Sequence, residues 1–349
     1  MLFNAPVIPD ERIIEILNRN ADSFYSCHFG LYRADFDDCR HRLVFLETDR
    51  WIELLSSVRI ARKFLLVNSR AHAFGAYFDP AHLRSVLKTL RSLLKAKVID
   101  GIVFADAYYL QALSDAGGEE ASELEAIPSV NFLLDTFDRI AGLFEFIAST
   151  RFKLPQTLLL DRSLNRRPED LRAVSARCRK VFPNVKLELL ANEGCLYHCP
   201  YKLTHDCHIS MRNTGQVLDT RRINRELGCI RTLQRDPSRL FQSPFIRPED
   251  VDAYEPYADV LKLCGRTPGA NFLQRVVQAY LDRKYSGNLL DLMDAMDGTA
   301  EWLHVSNELL PPDFLQRLFA CSRECSRCLY CRELIERCAH SITFSLEKR

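Results

Sequence analysis

Eight short apolar runs, separated along most of the chain by amphipathic segments, constrain the fold more than any other feature of this sequence. Each run is rich in Val, Ile, Leu and Phe and is bounded by polar or turn residues, which is typical of strands buried on both faces of a parallel sheet. The predicted strands are Leu2–Val7, Ser23–Cys27, Phe64–Val67, Gly101–Phe104, Val130–Leu134, Thr157–Leu160, Lys186–Leu190 and Val260–Leu263.

Helical patterns follow several of these runs. One covers Arg12–Leu17, a second begins at Asp79-Pro80 and extends to Leu94, and a third extends from Arg167 to about Val181. Early proline and acidic residues mark their first turns. Strands that alternate with helices form parallel βαβ units, and eight such units predict an α/β protein with a (β/α)8 TIM-like barrel. An open, doubly wound sheet is the alternative.

The 349 residues leave room for additions to a barrel. We assign residues 1–286 to the barrel and residues 287–349 to a helical, cysteine-rich C-terminal extension. Two connections are unusually long: residues 28–62 after the second strand and the cysteine-rich insertion 191–258 after the seventh. Connections after strands project from the C-terminal face of a barrel, where active sites form.

Cysteine is over-represented, with thirteen residues in the chain. We expect a cytoplasmic protein, because the N-terminal residues lack the pattern of a signal peptide and no apolar run approaches the roughly 18 residues of a membrane span. In a reducing cytoplasm, clustered cysteines indicate metal or redox chemistry rather than disulfides. Five scattered cysteines are interpreted as small buried hydrophobic residues: Cys27, Cys39, Cys178, Cys264 and Cys338.

The first cysteine group follows the seventh strand directly and comprises Cys195, Cys199, Cys207 and Cys229. Four thiolates suffice for a 4Fe–4S cluster or a tetrahedral zinc ion. The spacing of three, seven and twenty-one intervening residues favours a cluster, because zinc usually prefers tight Cys-x-x-Cys pairs. Three histidines of the same stretch, His198, His205 and His208, could replace one sulfur ligand or face the substrate.

The second group, Cys321-x3-Cys325-x2-Cys328-x2-Cys331, is too dense to be explained by packing. Its first three members have the spacing of radical S-adenosylmethionine enzymes. However, they lie near the C-terminus, and a fourth cysteine would close the iron site that the cofactor must occupy. We therefore expect a second, closed 4Fe–4S cluster, with structural zinc and reduced or oligomer-linking thiols as alternatives.

Three segments resemble the collagenase-like peptidase family, whose members include oxygen-independent hydroxylases: Leu187–Ser210, Ser243–Asp250, and Ala258–Arg266 with the helix Leu273–Tyr280. The resemblance implies a barrel in which Cys195, Cys199, Cys207 and Cys229 hold a 4Fe–4S cluster. It also implies hydroxylation of an aromatic ring or an RNA base with an oxygen atom from prephenate. Cys264 stands where the family has a glutamate.

Polar residues at strand ends are the candidates for catalysis. Asn192 and Glu193 follow the seventh strand, and Arg266 follows the eighth, where its guanidinium could hold a carboxylate. His205 completes this set. The sequence shows neither a Ser/His/Asp or Cys/His arrangement nor a His-Glu-x-x-His motif.

The predicted function is therefore an iron–sulfur oxidoreductase of the hydroxylase kind, which modifies an aromatic or nucleobase-like acceptor. The alternatives are an electron-transfer or accessory subunit and a collagenase-like or zinc-dependent hydrolase. The acceptor is a small molecule or RNA, and a partner subunit or a homodimer is possible.

Net charge does not decide between these partners, since 47 basic residues nearly balance 46 acidic ones. The basic stretches Arg162–Lys180 and Arg221–Arg239 could follow RNA phosphates. Their interleaved acidic residues are equally typical of solvated helix faces.

Overall fold

The computed structural model describes residues 1–31, 33, 36, 38–39, 46–216, 219–296 and 298–342. Eight parallel strands follow one another around a barrel in the order β5-β4-β3-β2-β1-β8-β7-β6. This cyclic order confirms the (β/α)8 barrel and rules out an open, doubly wound sheet. The strands are β1 Leu2–Pro6, β2 Phe24–Phe29, β3 Arg62–Val67, β4 Gly101–Phe104, β5 Glu125–Pro128, β6 Thr157–Leu159, β7 Lys186–Leu190 and β8 Val260–Lys262.

The barrel has a seam between β5 and β6. There the backbone of Lys153 pairs with β5, because its N–H donates to Leu124 O at 2.9 Å and its carbonyl accepts from Ala126 N at 3.1 Å. An ion pair between Glu125 and Arg62 lies beside the same seam. The connection before β6 therefore closes the ring where the two strands do not form a regular ladder.

Helices surround the barrel. Those of the first seven units are α1 Glu11–Arg19, α2 Thr48–Ser57, α3 Pro80–Lys95, α4 Ala107–Ala116, α5 Glu119–Glu123, α6 Phe137–Ser149 and α7 Pro168–Val181. The long connection after β7 carries α8 Lys202–Asn213, α9 Thr220–Glu226 and α10 Cys229–Arg235, and α11 Ala270–Asp282 follows β8. The predicted helix starts at Asp79 and Arg167 are confirmed, and the Asp79 carboxylate accepts from Ala81 N at 2.8 Å.

Seven of the eight strand predictions overlap the observed strands, but the fifth is wrong. Val130–Phe132 is a 3-10 turn capped by Ser129, and Leu133 has a left-handed backbone with φ 54°. The strand lies earlier, at Glu125–Pro128. The sequence pattern does not indicate this strand, because it begins with the charged Glu125 and ends with Pro128. Proline cannot donate a hydrogen bond to a neighbouring strand and is rare inside strands.

The barrel interior is divided into an apolar and a polar half. Phe64, Leu66, Val103 and Ile127 form a small buried cluster separate from the main core. On the opposite side the buried inward residues are polar: Asn4, His28, Glu188 and Lys262. Buried polar groups in a packed barrel need partners, so this half indicates a functional rather than a purely structural role.

The C-terminal region packs onto the barrel instead of standing apart from it. Asp294 forms a parallel bridge with Glu193 at the end of β7. Beyond it lie β9 Leu303–Val305, α12 Phe314–Phe319, α13 Tyr330–Cys338 and β10 Ala339–Ser341, with β9 and β10 antiparallel. The predicted connection 28–62 falls partly outside the described residues, as do positions 217–218 of the insertion and the last seven residues of the extension. No described helix is long and apolar enough to cross a bilayer.

Candidate active site at the barrel mouth

A cavity of about 50 Å³ lies at the carboxyl ends of the strands, where the sequence placed the site. Its lining combines thiols with ionisable and amide side chains. The polar members are His28, Cys39, Asn68, Ser129, Asn131, Glu193, Lys202, Lys262, Cys264, Arg266 and Asp294. The volume suits a single reacting group rather than a whole ligand.

His28 is held in one orientation by Asn4. The Asn4 amide donates to Glu188 Oε1 at 2.8 Å, and its oxygen accepts from His28 Nδ1 at 2.8 Å. This chain leaves Nε2 of His28 as a hydrogen-bond acceptor. Burial lowers the pKa of His28 well below its usual value, and the nearby charges of Lys262 and Arg266 lower it further. The imidazole is therefore neutral near pH 7.

Glu188, at the far end of this chain, is buried inside the barrel. Burial raises the pKa of its carboxyl, while Lys262 and the hydrogen bond from Asn4 oppose the shift. The Asn4 amide thus joins an acidic group to the imidazole without a direct contact between them. Such a third group fixes the tautomer and orientation of a catalytic histidine.

Cys264 lies two residues past the end of β8, and β1 separates β8 from β2, which carries His28. In the strand register Lys262 pairs with Asn4, and Pro6 pairs with His28. Leu263 N–H still donates to Asn4 O at 2.8 Å, so the chain follows β1 up to that residue. Cys264 and His28 thus belong to the two strand ends on either side of β1. Both line the same small cavity.

Asn192 fixes the backbone of Cys264. Its Oδ1 accepts from Cys264 N at 2.6 Å, and its Nδ2 donates to Cys264 O at 3.0 Å. The same amide also donates to Leu292 O at 3.0 Å. Asn192 is fully buried, so all of its polar atoms serve to join the ends of β7 and β8 to the C-terminal region.

Three cationic side chains surround the cavity. Arg266 donates to Asp38 at 2.8 Å, and Lys202 pairs with Asp206 at 2.6 Å; Lys262 lines the cavity from β8. Burial lowers the pKa of Lys202, as does the charge of Arg162, while Asp206 partly restores it. Two of these cations are thus paired with carboxylates, and Glu193 and Asp294 also line the cavity, so its wall combines basic and acidic groups.

Glu193 forms a buried ion pair with Arg162. Arg162 follows the carboxyl end of β6 and is 7% exposed, and Glu193 is 5% exposed. The pair links two neighbouring connections of the barrel mouth. A buried pair of this kind is costly to break, because the remaining charge is left uncompensated.

The first cysteine group lies next to this ion pair. Burial raises the pKa of Cys195; Arg162 and Lys202 oppose the shift, and the neighbouring thiolates of Cys199 and Cys229 add to it. Cys207, on α8, is exposed. Among the described residues, no three His, Cys, Asp or Glu side chains are positioned to hold a metal ion. The 4Fe–4S cluster expected on these four cysteines stays a prediction.

The structure brings three of the four predicted catalytic residues to the mouth. Glu193 and Arg266 line the cavity, and Asn192 lies directly behind Cys264. His205 instead lies on α8, where its Nε2 contacts Asn224 Nδ2 at 3.3 Å. Their catalytic roles stay predictions.

Sequence reasoning missed other mouth residues, mainly His28, Asn4, Lys202, Lys262 and Asp294. Polar residues at alternate positions of otherwise apolar strands, such as Asn4 and Lys262, could have indicated a polar barrel interior. Cys264 was interpreted as a buried hydrophobic residue, but it lines the cavity.

The basic stretch Arg162–Lys180 is not a uniform solvated face. Arg162 and Arg166 are both buried, and Arg166 donates to the carbonyls of Ser243 and Phe245 at 2.7 and 2.9 Å. The side chains of these two arginines therefore bind groups inside the protein. RNA binding by either basic stretch stays a prediction.

Comparison with known proteins adds two relatives, although no family model matches the sequence. The chain is 28% identical over 313 residues to a protein of Methanocaldococcus jannaschii named uncharacterized protease MJ1657, which covers 88% of this chain and 83% of the relative. The solved structure of the U32 peptidase Mk0906 aligns with a TM-score of 0.50 and 15% identity, over 76% of this chain and 93% of that chain. Its likeness supports the barrel, and the name of the sequence relative supports the peptidase part of the resemblance.

These comparisons overturn the main functional prediction. The sequence relative is named a protease, so the interpretation as an iron–sulfur, oxygen-independent hydroxylase is wrong, and the hydrolase alternative fits better. The relatives indicate a peptidase-like enzyme and not an oxidoreductase. The error arose because the reaction was taken from a resemblance to a family that includes both peptidases and hydroxylases, and a shared fold does not specify a reaction.

Proposed function

We propose that this protein is a cysteine-dependent peptidase that hydrolyses an amide bond at the barrel mouth, with Cys264 as nucleophile and His28 as base. The observation that carries the proposal is that a neutral histidine, oriented by an asparagine, lines the same small cavity as a thiol. Cysteine, histidine and asparagine form a peptidase triad that recurs on unrelated folds. The names of the sequence relative and of the fold neighbour support the same reaction.

The reaction begins with proton transfer from Cys264 to Nε2 of His28. The thiolate attacks the amide carbonyl carbon, the C–N bond breaks, and the imidazolium gives its proton to the leaving amine. A water molecule then attacks the thioester while His28 accepts one of its protons. Release of the carboxylate returns the thiol, so no external oxidant or reductant is needed.

The cations of the cavity favour the two negatively charged species of the reaction, the thiolate and the tetrahedral oxyanion. A cation near a thiol favours its thiolate, and Lys262 and Arg266 line the same cavity as Cys264. In the tetrahedral intermediate the oxygen of the former carbonyl carries the charge, and Lys202 is a third cation on the cavity wall. A preorganised positive site of this kind is a large contribution to catalysis.

The small volume of the cavity constrains the substrate. About 50 Å³ admits the reacting peptide group but not a folded chain. We therefore expect unfolded polypeptides or short peptides as substrates, since in these the scissile bond is accessible.

A proteolysis assay tests this function. The protein is incubated with an unfolded polypeptide such as reduced casein, and new termini are identified by mass spectrometry. We expect cleavage by the native protein and none by Cys264→Ser. Cys178→Ser, which removes a buried thiol of α7, is the matched control and retains cleavage. Equal cleavage by Cys264→Ser would reject the nucleophile, and no cleavage of any peptide by the native protein would reject the function.

A further inference from the structure

The segment 320–329, between α12 and α13, is held mainly by polar contacts. It forms neither helix nor strand, and nearly all of its side chains are exposed. Apolar burial therefore contributes little to holding it in place. A bound metal ion would add binding free energy to the stability of such a segment.

Four thiols of this region face one cavity. Cys321, Cys325, Cys328 and Cys331 line a space of about 760 Å³ between the C-terminal region and the connection after β7. Cys331 lies in the first turn of α13, and the other three cysteines precede it within ten residues, so all four lie on one side of this cavity.

Two of the sulfurs already accept N–H groups. The backbone N–H of Arg323 donates to Cys321 Sγ at 3.4 Å, and Gln242 Nε2 donates to Cys325 Sγ at 3.6 Å. Such donors stabilise a thiolate ligand from outside the coordination sphere. Arg323 and Arg332 also line the cavity and would offset the double negative charge of four thiolates around a divalent ion.

We propose that Cys321, Cys325, Cys328 and Cys331 form a structural Zn²⁺ site, separate from the barrel mouth. The intervals of three, two and two residues lie within the spacing of tetrahedral thiolate zinc sites. Zinc has no redox chemistry, which agrees with a hydrolase. Since no three potential ligands in the described structure are gathered at one point, the exposed thiols of Cys325 and Cys328 turn inward on binding.

The site would attach the C-terminal region to the barrel. Next to Cys321, the Arg323 guanidinium donates to Arg166 O at 2.8 Å and lies 5.0 Å from the centre of the Tyr197 ring. Tyr197 stands between two cysteines of the first group. Zinc binding would therefore order a segment that contacts the loop after β7.

Metal analysis tests this proposal independently of catalysis. We expect one zinc per chain in the native protein, no zinc in the double variant Cys325→Ser/Cys328→Ser, and one in Cys178→Ser, which removes a thiol of α7 outside both cysteine groups. Iron with sulfide in place of zinc would overturn the proposal. So would zinc that persists in the double variant or is lost in Cys178→Ser.

Limited trypsin digestion gives a second readout that does not require the variant to fold. The native protein is treated with a zinc chelator, and cleavage after Arg323 and Arg327 is followed by mass spectrometry. Because both arginines lie within the segment, we expect at least tenfold faster cleavage after chelation and protection on return of Zn²⁺. Cleavage that chelation leaves unchanged would contradict a structural zinc site.

Discussion

Asn192 holds both backbone groups of Cys264, accepting from its N–H at 2.6 Å and donating to its carbonyl at 3.0 Å. A nucleophile needs a fixed position relative to its base, and small displacements reduce the rate strongly. In the proposed reaction Asn192 is therefore a positioning residue that acts through Cys264.

Replacing Asn192 by Ala should lower both stability and turnover. The variant leaves two backbone groups of Cys264 and the carbonyl of Leu292 without their partner, which should cost about 2–3 kcal/mol of unfolding free energy. We expect kcat to fall at least tenfold with little change in KM. Urea unfolding and peptidase kinetics measure these effects.

Asn165→Ala is the matched control. Asn165 is equally buried and donates to the carbonyls of Leu190 and Pro244, both at 2.8 Å, but does not contact Cys264. We expect a similar loss of stability with kcat nearly unchanged. An equal fall of kcat in both variants would show that Asn192 has only a general structural role.

The pH dependence of hydrolysis should report His28. Its pKa lies well below the usual 6.5 because of burial and nearby cations. The base is active when neutral, so kcat/KM should stay high through pH 6 and fall only at lower pH. The profile is measured over a range where the native protein remains folded. An acid limb centred at or above 6.5 would contradict His28 as the base.

Stability should depend on the same histidine. Since the folded-state pKa is lower than the unfolded value, the unfolded chain binds the proton more readily as the pH falls below about 6.5. The contribution of His28 is thus fully present above that pH and is lost progressively below it. In His28→Gln, the difference in unfolding free energy between pH 7 and pH 5 should be smaller than in the native protein. An unchanged difference would show that other groups govern the acid destabilisation.

Removing one partner of the buried Arg162–Glu193 ion pair should destabilise the protein more than removing both. Arg162→Met leaves the Glu193 carboxylate buried and uncompensated, which should cost about 3–5 kcal/mol. The double variant Arg162→Met/Glu193→Leu should recover most of this loss. Urea unfolding of both variants checks the prediction, and a double variant no more stable than the single one would contradict it.

The barrel could be predicted because its strands are local signals. Gly101–Phe104 and Lys186–Leu190 coincide with the observed β4 and β7, since each is a short apolar run bounded by turns. The fifth strand was missed because Glu125 and Pro128, at its two ends, break that pattern. Glu125 is accommodated in the strand because it pairs with Arg62 beside the seam. Arg62 is distant in the sequence, so the residues around Glu125 do not indicate this partner.

The candidate site could be predicted only in part. Glu193 and Arg266 follow strand ends, and residues at the carboxyl ends of barrel strands are expected at the mouth, where both are found. His28 and Cys264 are 236 positions apart in the chain, and only the folded barrel brings them to one cavity. Because closure of the ring is a tertiary event, sequence spacing could not show a cysteine–histidine pair.

Trapping of the acyl-enzyme tests the central claim most directly. The protein is mixed with an activated ester of a short peptide, quenched in acid within its first turnover, and analysed by mass spectrometry for a residue that carries the acyl group. The account predicts a thioester on Cys264, and its loss in Cys264→Ser. An acyl group on any other residue, or turnover of the ester with no covalent adduct, would contradict it.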